Sequence, residues 1–167
     1  MDRKIQSEPV PYLGGAAIVL GTVLATYLAL VIKNESTETF SLASSILFPA
    51  ILIAAMGLWD DFYMLQPWPR LIAQTSAGTA MALILIATDT MGFALGNQFL
   101  NAAVSIFWIV GICNSINFFD NLDGGAAGTV AVSTLGITLI AYAQGQELIA
   151  ALAVVTAGAT IGFLLWN

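Results

Sequence analysis

Apolar residues fill the chain in six long runs, at about 13–32, 42–59, 71–87, 99–116, 126–142 and 148–166, and polar residues collect in the short stretches between them. Each run approaches the roughly 20 residues that an α-helix needs to cross a hydrocarbon core of about 30 Å. The pattern predicts an all-α fold, a polytopic transmembrane helix bundle of about six spans. The connections are too short for a soluble domain and no internal repeat is visible, so residues 1–167 read as a single transmembrane domain.

Composition agrees with the pattern and narrows the chemistry. Hydrophobic residues make up 59% of the chain and charged residues 8%, with a mean hydropathy of +0.90, far from the range of soluble domains. One cysteine and no histidine leave no internal disulfide and no ligand set for zinc or haem. Cys113, inside an apolar run, reads as a small packing residue. A net charge of −6 with four scattered basic residues argues against nucleic acid. The first run has spanning length and no clear small-residue cleavage site, so no cleavable signal peptide is expected.

If the six runs alternate across the membrane, the N-terminus, residues 59–70, residues 114–125 and the C-terminus share one face. Residues 33–41, 88–98 and 143–147 share the other. Arg3, Lys4 and Arg70 fall on the first face and Lys33 on the second, so the positive-inside rule makes the first face cytoplasmic. That partition, made without reference to acids, also places Asp60, Asp61, Asp120 and Asp123 together there. A carboxylate at mid-bilayer costs about 2.5–3.5 kcal/mol on insertion scales, so these four belong near the water boundary.

Two readings of the acids are open. In one, "WDD" and "DNLD" mark helix ends, with Asp and Asn capping free backbone N–H groups and Gly permitting the turn. In the other they form a site, because capping uses one acid per helix start and leaves adjacent acids after an apolar run unexplained. Spacing favours a site: at 100° per residue, Asn114, Asn117 and Asn121 lie within about 60° of one another with Asp120 on the border of the stripe. Gly124 and Gly125 suggest a helix break that frees Asp123 to turn back. Carboxylate and amide oxygens suit a hard cation such as Mg²⁺, which keeps one or two protein ligands and takes the rest from phosphate and water. A phosphorylated ligand at the membrane surface follows.

Four segments in order, "PVPYLGG" (9–15), "GLWDDFYMLQPWPRLIAQ" (57–74), "NSINFFDNLDGGAAG" (114–128) and "GFLLWN" (162–167), resemble the polyprenyl-phosphate N-acetylhexosamine-1-phosphate transferases. The first looks more like the UDP-GlcNAc-using members than the phospho-MurNAc-pentapeptide translocase. The resemblance implies transfer of a sugar-1-phosphate, GlcNAc-1-phosphate by that motif, from a UDP-sugar to polyprenyl phosphate with release of UMP, in bacterial envelope glycan synthesis such as that of lipopolysaccharide or cell wall. By the same resemblance Asp60, Asp61 and Asp120 are catalytic, the Asp60–Asp61 pair serving the lipid phosphate. Asn117 matches a ligand of Mg²⁺, with Mn²⁺ as a substitute. Asn114, Asp123, Arg70 and Lys4 fall at substrate-binding positions, Asp123 at the uracil end. The implied partners are polyprenyl phosphate, a UDP-N-acetylhexosamine and the lipid bilayer of the bacterial inner membrane, with the site on its cytoplasmic face and a homodimer as a compatible assembly.

The chain also departs from that family. Its usual Arg-Lys-x-His before "PVP" is here Arg3, Lys4, Ile5 and Gln6; Arg70 stands where Lys is common; Asn121 and Gly125 replace a Gly and a Leu. Members begin with a further helix and continue past the "GF…N" segment into a Pro-Ala-x-x-Phe-Met-Gly-Asp motif, whose Asp is a principal Mg²⁺ ligand. The 167 residues therefore resemble the middle of such an enzyme and are expected to be inactive alone. Two other classes stay open. Asp120, Asp123, Gly124 and Ala127 echo the CDP-alcohol phosphotransferases, although Gly128 stands where they need Arg. A transporter or ion pathway would use membrane acids and a Gly158–Gly162 packing pair, but would place its acids within spans.

Overall fold

The computed structural model describes residues 13–63, 66–88, 96–119 and 124–166. These residues form six α-helices: α1 Gly14–Ile32, α2 Thr37–Tyr63, α3 Pro67–Ala87, α4 Gln98–Phe119, α5 Gly125–Ala143 and α6 Glu147–Leu164. All six are long and apolar enough to cross a membrane, as the run pattern predicts. The helices outrun the apolar runs where polar residues allow it. α2 starts at Thr37 because Ser36 Oγ accepts the backbone N–H of Thr39 at 3.2 Å, satisfying a donor of the first turn. At 27 residues it is about 40 Å long, more than the roughly 30 Å hydrocarbon core, so it carries both its polar ends to the water boundary. Asn97 caps α4 in the same way, its Oδ1 accepting from Phe99 at 2.9 Å and Leu100 at 3.2 Å.

Each helix packs against its neighbours in sequence, and α1 also packs against α6, so the contacts trace a closed circuit whose thinnest seam is α4–α5. The helices alternate in direction. At one end of the α1–α6 seam Lys33 Nζ lies 3.3 Å from Glu147 Oε2; at the other, Gly14 sits under the Phe163 ring.

The buried set is small-residue rather than bulky: Ala43, Ala77, Ala82, Ala127, Ala131, Ala141, Ala150, Ala153 and Ala157 are all core, while Leu24, Phe107 and Leu139 stand outward at 68%, 78% and 73% exposure. Lipid tails are as apolar as leucine, so helices gain by close backbone approach and leave large side chains to the bilayer. Gly21 meets Ala159 across α1–α6, and Gly78 meets Ile106 and Ile109 across α3–α4. Among the described residues, a Cβ on Gly158 or Gly162, the pair named for the transporter reading, would meet no neighbour within 4 Å.

The end away from Asp60 and Asp61 holds a crevice of about 170 Å³ between α1, α2 and α6, with Lys33, Glu35, Thr39 and Glu147 at its polar rim. Glu35 and Glu147 hold the Lys33 ammonium above its ordinary pKa. A raised folded-state value means that this contact persists through neutral pH and is lost only as pH climbs through that value.

The alternation has a direct test. Tyr63→Cys and Gln144→Cys, each in a Cys113→Ala background, are expected to react with a membrane-impermeant thiol reagent from opposite sides. Labelling of both from one side would rule out the six-span arrangement.

Candidate active site

α3 opens with Pro67 in its first turn, a position where the missing N–H costs nothing. Arg70, Gln74 and Gly78 follow at intervals of four, on one strip of the helix. The strip faces two helices. Arg70 Nη1 lies 3.1 Å from Asp60 Oδ2 on α2, with the side chains 31% and 19% exposed. One turn further along, Gln74 Oε1 accepts from Asn114 Nδ2 on α4 at 2.7 Å, and the same Nδ2 donates to the Val110 carbonyl at 2.8 Å.

The capping reading of "WDD" does not survive. Asp60 and Asp61 lie in the last turn of α2, where carbonyls rather than N–H groups are free and the negative end of the helix macrodipole opposes a carboxylate. Arg70 is equally misplaced for helix stability, in the first turns of α3 at its positive end. Each charge stands against its own helix and is offset by the other. Asp61, about 100° further round α2, is exposed.

Asn114 and Asn117 lie on the last turns of α4, on one stripe as their spacing predicts. Because α3 and α4 run antiparallel, the step from Gln74 back to Arg70 matches the step from Asn114 on to Asn117, which sets Asn117 towards the level of Arg70. Both asparagines are exposed. Asp120, Asn121 and Asp123 lie outside the described residues, as does Lys4. The expected helix break before Gly125 is present: α4 ends at Phe119, and Gly124, at φ 66°, stands at the N-cap of α5. That left-handed conformation suits glycine.

Among the described residues no group of three Asp, Glu, His or Cys side chains could hold a metal ion. The oxygen donors at this end, Asp61 and Asn117, suit Mg²⁺ in kind and match the one or two protein ligands it commonly keeps. Aromatic side chains ring the same end: Trp59, Tyr63, Trp68 and Trp166 are 59%, 72%, 70% and 90% exposed. Amphipathic rings of this sort settle at headgroup level, placing the acids at the membrane surface rather than within it.

The profile of glycosyl transferase family 4 matches residues 43–167. The chain belongs to this glycosyl transferase family. It is 34% identical, over 99% of its own length and 46% of the relative's, to a probable undecaprenyl-phosphate N-acetylglucosaminyl 1-phosphate transferase of Bacillus subtilis. It is 28% identical to the phospho-N-acetylmuramoyl-pentapeptide-transferase of Streptococcus mutans, over 94% of the chain and 51% of that protein. The chain thus spans about half the length of the curated relatives it matches. No solved structure matches it. The family match covers α3 to α6 and most of α2, and with them Asp60, Arg70, Gln74, Asn114 and Asn117; Lys4 precedes it.

Within this glycosyl transferase family 4 chain the structure joins Asp60 to Arg70 directly. It also adds Gln74, a residue that motif reading left unassigned. Its four-residue spacing from Arg70 was the available signal.

Proposed function

We propose that the full-length gene product carrying this sequence is a membrane transferase that moves a sugar-1-phosphate, GlcNAc-1-phosphate, from a UDP-sugar to polyprenyl phosphate and releases UMP. The supporting observation is the α3 strip, which brings Asp60, Arg70 and Asn114 to one membrane-surface end of a family 4 chain. In the reaction an oxygen of the lipid phosphate attacks the phosphorus that bears the sugar. A new P–O bond forms, the P–O bond to UMP breaks, and UMP leaves with the electron pair. Asp60 and Asp61 accept any proton still held by the lipid phosphate. Arg70, with one Nη engaged by Asp60, has further N–H donors for an oxyanion. Asn117, with Asp61 and Asp120 as further oxygen donors, would hold Mg²⁺, which when bound offsets the charge repulsion of the two phosphate groups. Asp123 and Lys4 complete the nucleotide and phosphate contacts, and the site faces the cytoplasm of the bacterial inner membrane.

Membranes containing the full-length protein are expected to release UMP from UDP-GlcNAc only when undecaprenyl phosphate and Mg²⁺ are both supplied, and to stop on addition of EDTA. No lipid-dependent UMP release from any UDP-N-acetylhexosamine would overturn the reading.

A further inference from the structure

The hydrogen-bond chain at the α3–α4 seam determines which way the two amides point. The Val110 carbonyl can only accept, so the Asn114 atom 2.8 Å from it is the NH₂ group. That same NH₂ supplies its second hydrogen across the seam at 2.7 Å, so the Gln74 atom that meets it is the oxygen. Turning either amide over would set like groups against each other at one of the two contacts.

Two consequences follow. Asn114 has spent both its hydrogens and offers only Oδ1. Gln74 has spent its acceptor, and its Nε2, with two hydrogens, points away from the seam with no partner among the described residues. Gln74 is half-buried but its Nε2 is not enclosed, so a ligand can reach it. One helical turn away, about 5.4 Å, stands the Arg70 guanidinium with donors left over from its contact with Asp60. Donors stacked at that interval on one helix face call for an extended anion.

We infer that Gln74 is a substrate-binding residue whose Nε2 donates to a phosphate-ester oxyanion lying along α3 between Gln74 and Arg70. The identity of the anion as a phosphate ester rests on the function proposed above; the direction of the amide does not. Polyprenyl phosphate and the diphosphate of a UDP-sugar share this chemistry.

The test separates the amide's two jobs. Gln74→Glu keeps an acceptor for Asn114 but removes both donors and adds a repelling charge. Gln74→Met removes donors and acceptor at nearly the same volume. Binding of undecaprenyl phosphate and of UDP-GlcNAc to the purified full-length protein is measured separately by native mass spectrometry, beside the melting temperature. Gln74→Glu is expected to melt like wild type and to bind one of the two ligands about tenfold or more weakly, consistent with the loss of a hydrogen bond to a charged group; the ligand affected identifies the phosphate ester. Gln74→Met is expected to lose the same binding and also to melt earlier. Binding of both ligands within twofold of wild type in either folded variant would overturn the assignment. Wild-type protein that binds both ligands but releases no UMP would overturn the transfer reaction alone, and wild type that binds neither would overturn both.

Discussion

Asp60→Asn in the full-length gene product is expected to lower lipid-dependent UMP release by about 10²- to 10³-fold, the scale on which preorganised electrostatic groups act, with Asp61→Asn falling comparably. Folding is expected to be nearly untouched, and the reason is a balance of small terms. Removing a carboxylate from the last turn of α2 relieves an unfavourable dipole interaction of about 0.3–1 kcal/mol. Breaking a partly exposed ion pair such as Asp60–Arg70 costs about 0–1 kcal/mol. The two nearly cancel. Membrane levels and melting temperature should therefore match wild type while turnover collapses. A variant that keeps its activity per folded molecule would show that the ion pair is only a brace between α2 and α3.

The second large effect comes from the same strip of α3, two turns from Arg70. A Cβ on Gly78 would stand 3.5 Å from Ile106 Cα and 3.6 Å from both Ile106 Cγ2 and Ile109 Cβ. These are ordinary contacts, so Gly78→Ala is expected to fold and to work within about twofold of wild type. Gly78→Leu has no room for its outer carbons and must force α3 away from α4, at a cost of about 1–3 kcal/mol or more by analogy with overpacked cores. Because Gln74 is one turn away on the same face, that displacement also pulls Gln74 Oε1 from Asn114 Nδ2, now 2.7 Å apart. Gly78→Leu should melt several degrees lower and lose at least tenfold in turnover, a scale set by the sensitivity of catalysis to displacements of about 1 Å. Equal behaviour of the Ala and Leu variants would mean that the seam is compliant.

Both predictions concern features of unequal visibility in the sequence. The six spans were legible because a membrane-crossing helix must be apolar along its length, and apolar runs are conspicuous. The ends of α2 were not, since residues 37–41 and 60–63 are polar enough to read as loop and are helical only through the Ser36 cap and continuation of the apolar span. Asp60 and Asp61 stood out as an adjacent pair after an apolar run, but which of them pairs with Arg70 depends on how α3 returns beside α2. Glycine spacing was a poor guide to packing: Gly158 and Gly162 face no neighbour among the described residues, while Gly78, which sets the α3–α4 approach, carries no GxxxG signature. Gln74 closes the segment 57–74 but drew no role, because an amide at the end of a motif does not show in sequence what it faces. Its role depends on the Val110 carbonyl that turns Asn114, a contact between helices forty residues apart in sequence.

The α1–α6 seam has a consequence for how the chain is made. Lys33 and Glu147 are 114 residues apart, and at about 5–20 residues per second roughly 6–23 s of synthesis separate them. Throughout that interval α1 is in the bilayer with Gly14, Gly21 and the face meant for α6 open to lipid or to other nascent helices. The circuit of helices can close only when α6 is inserted, so the exposed ion pair at 3.3 Å is among the last of its contacts to form. Membrane quality control has its longest opportunity to act on α1, the first span of the circuit to be synthesised.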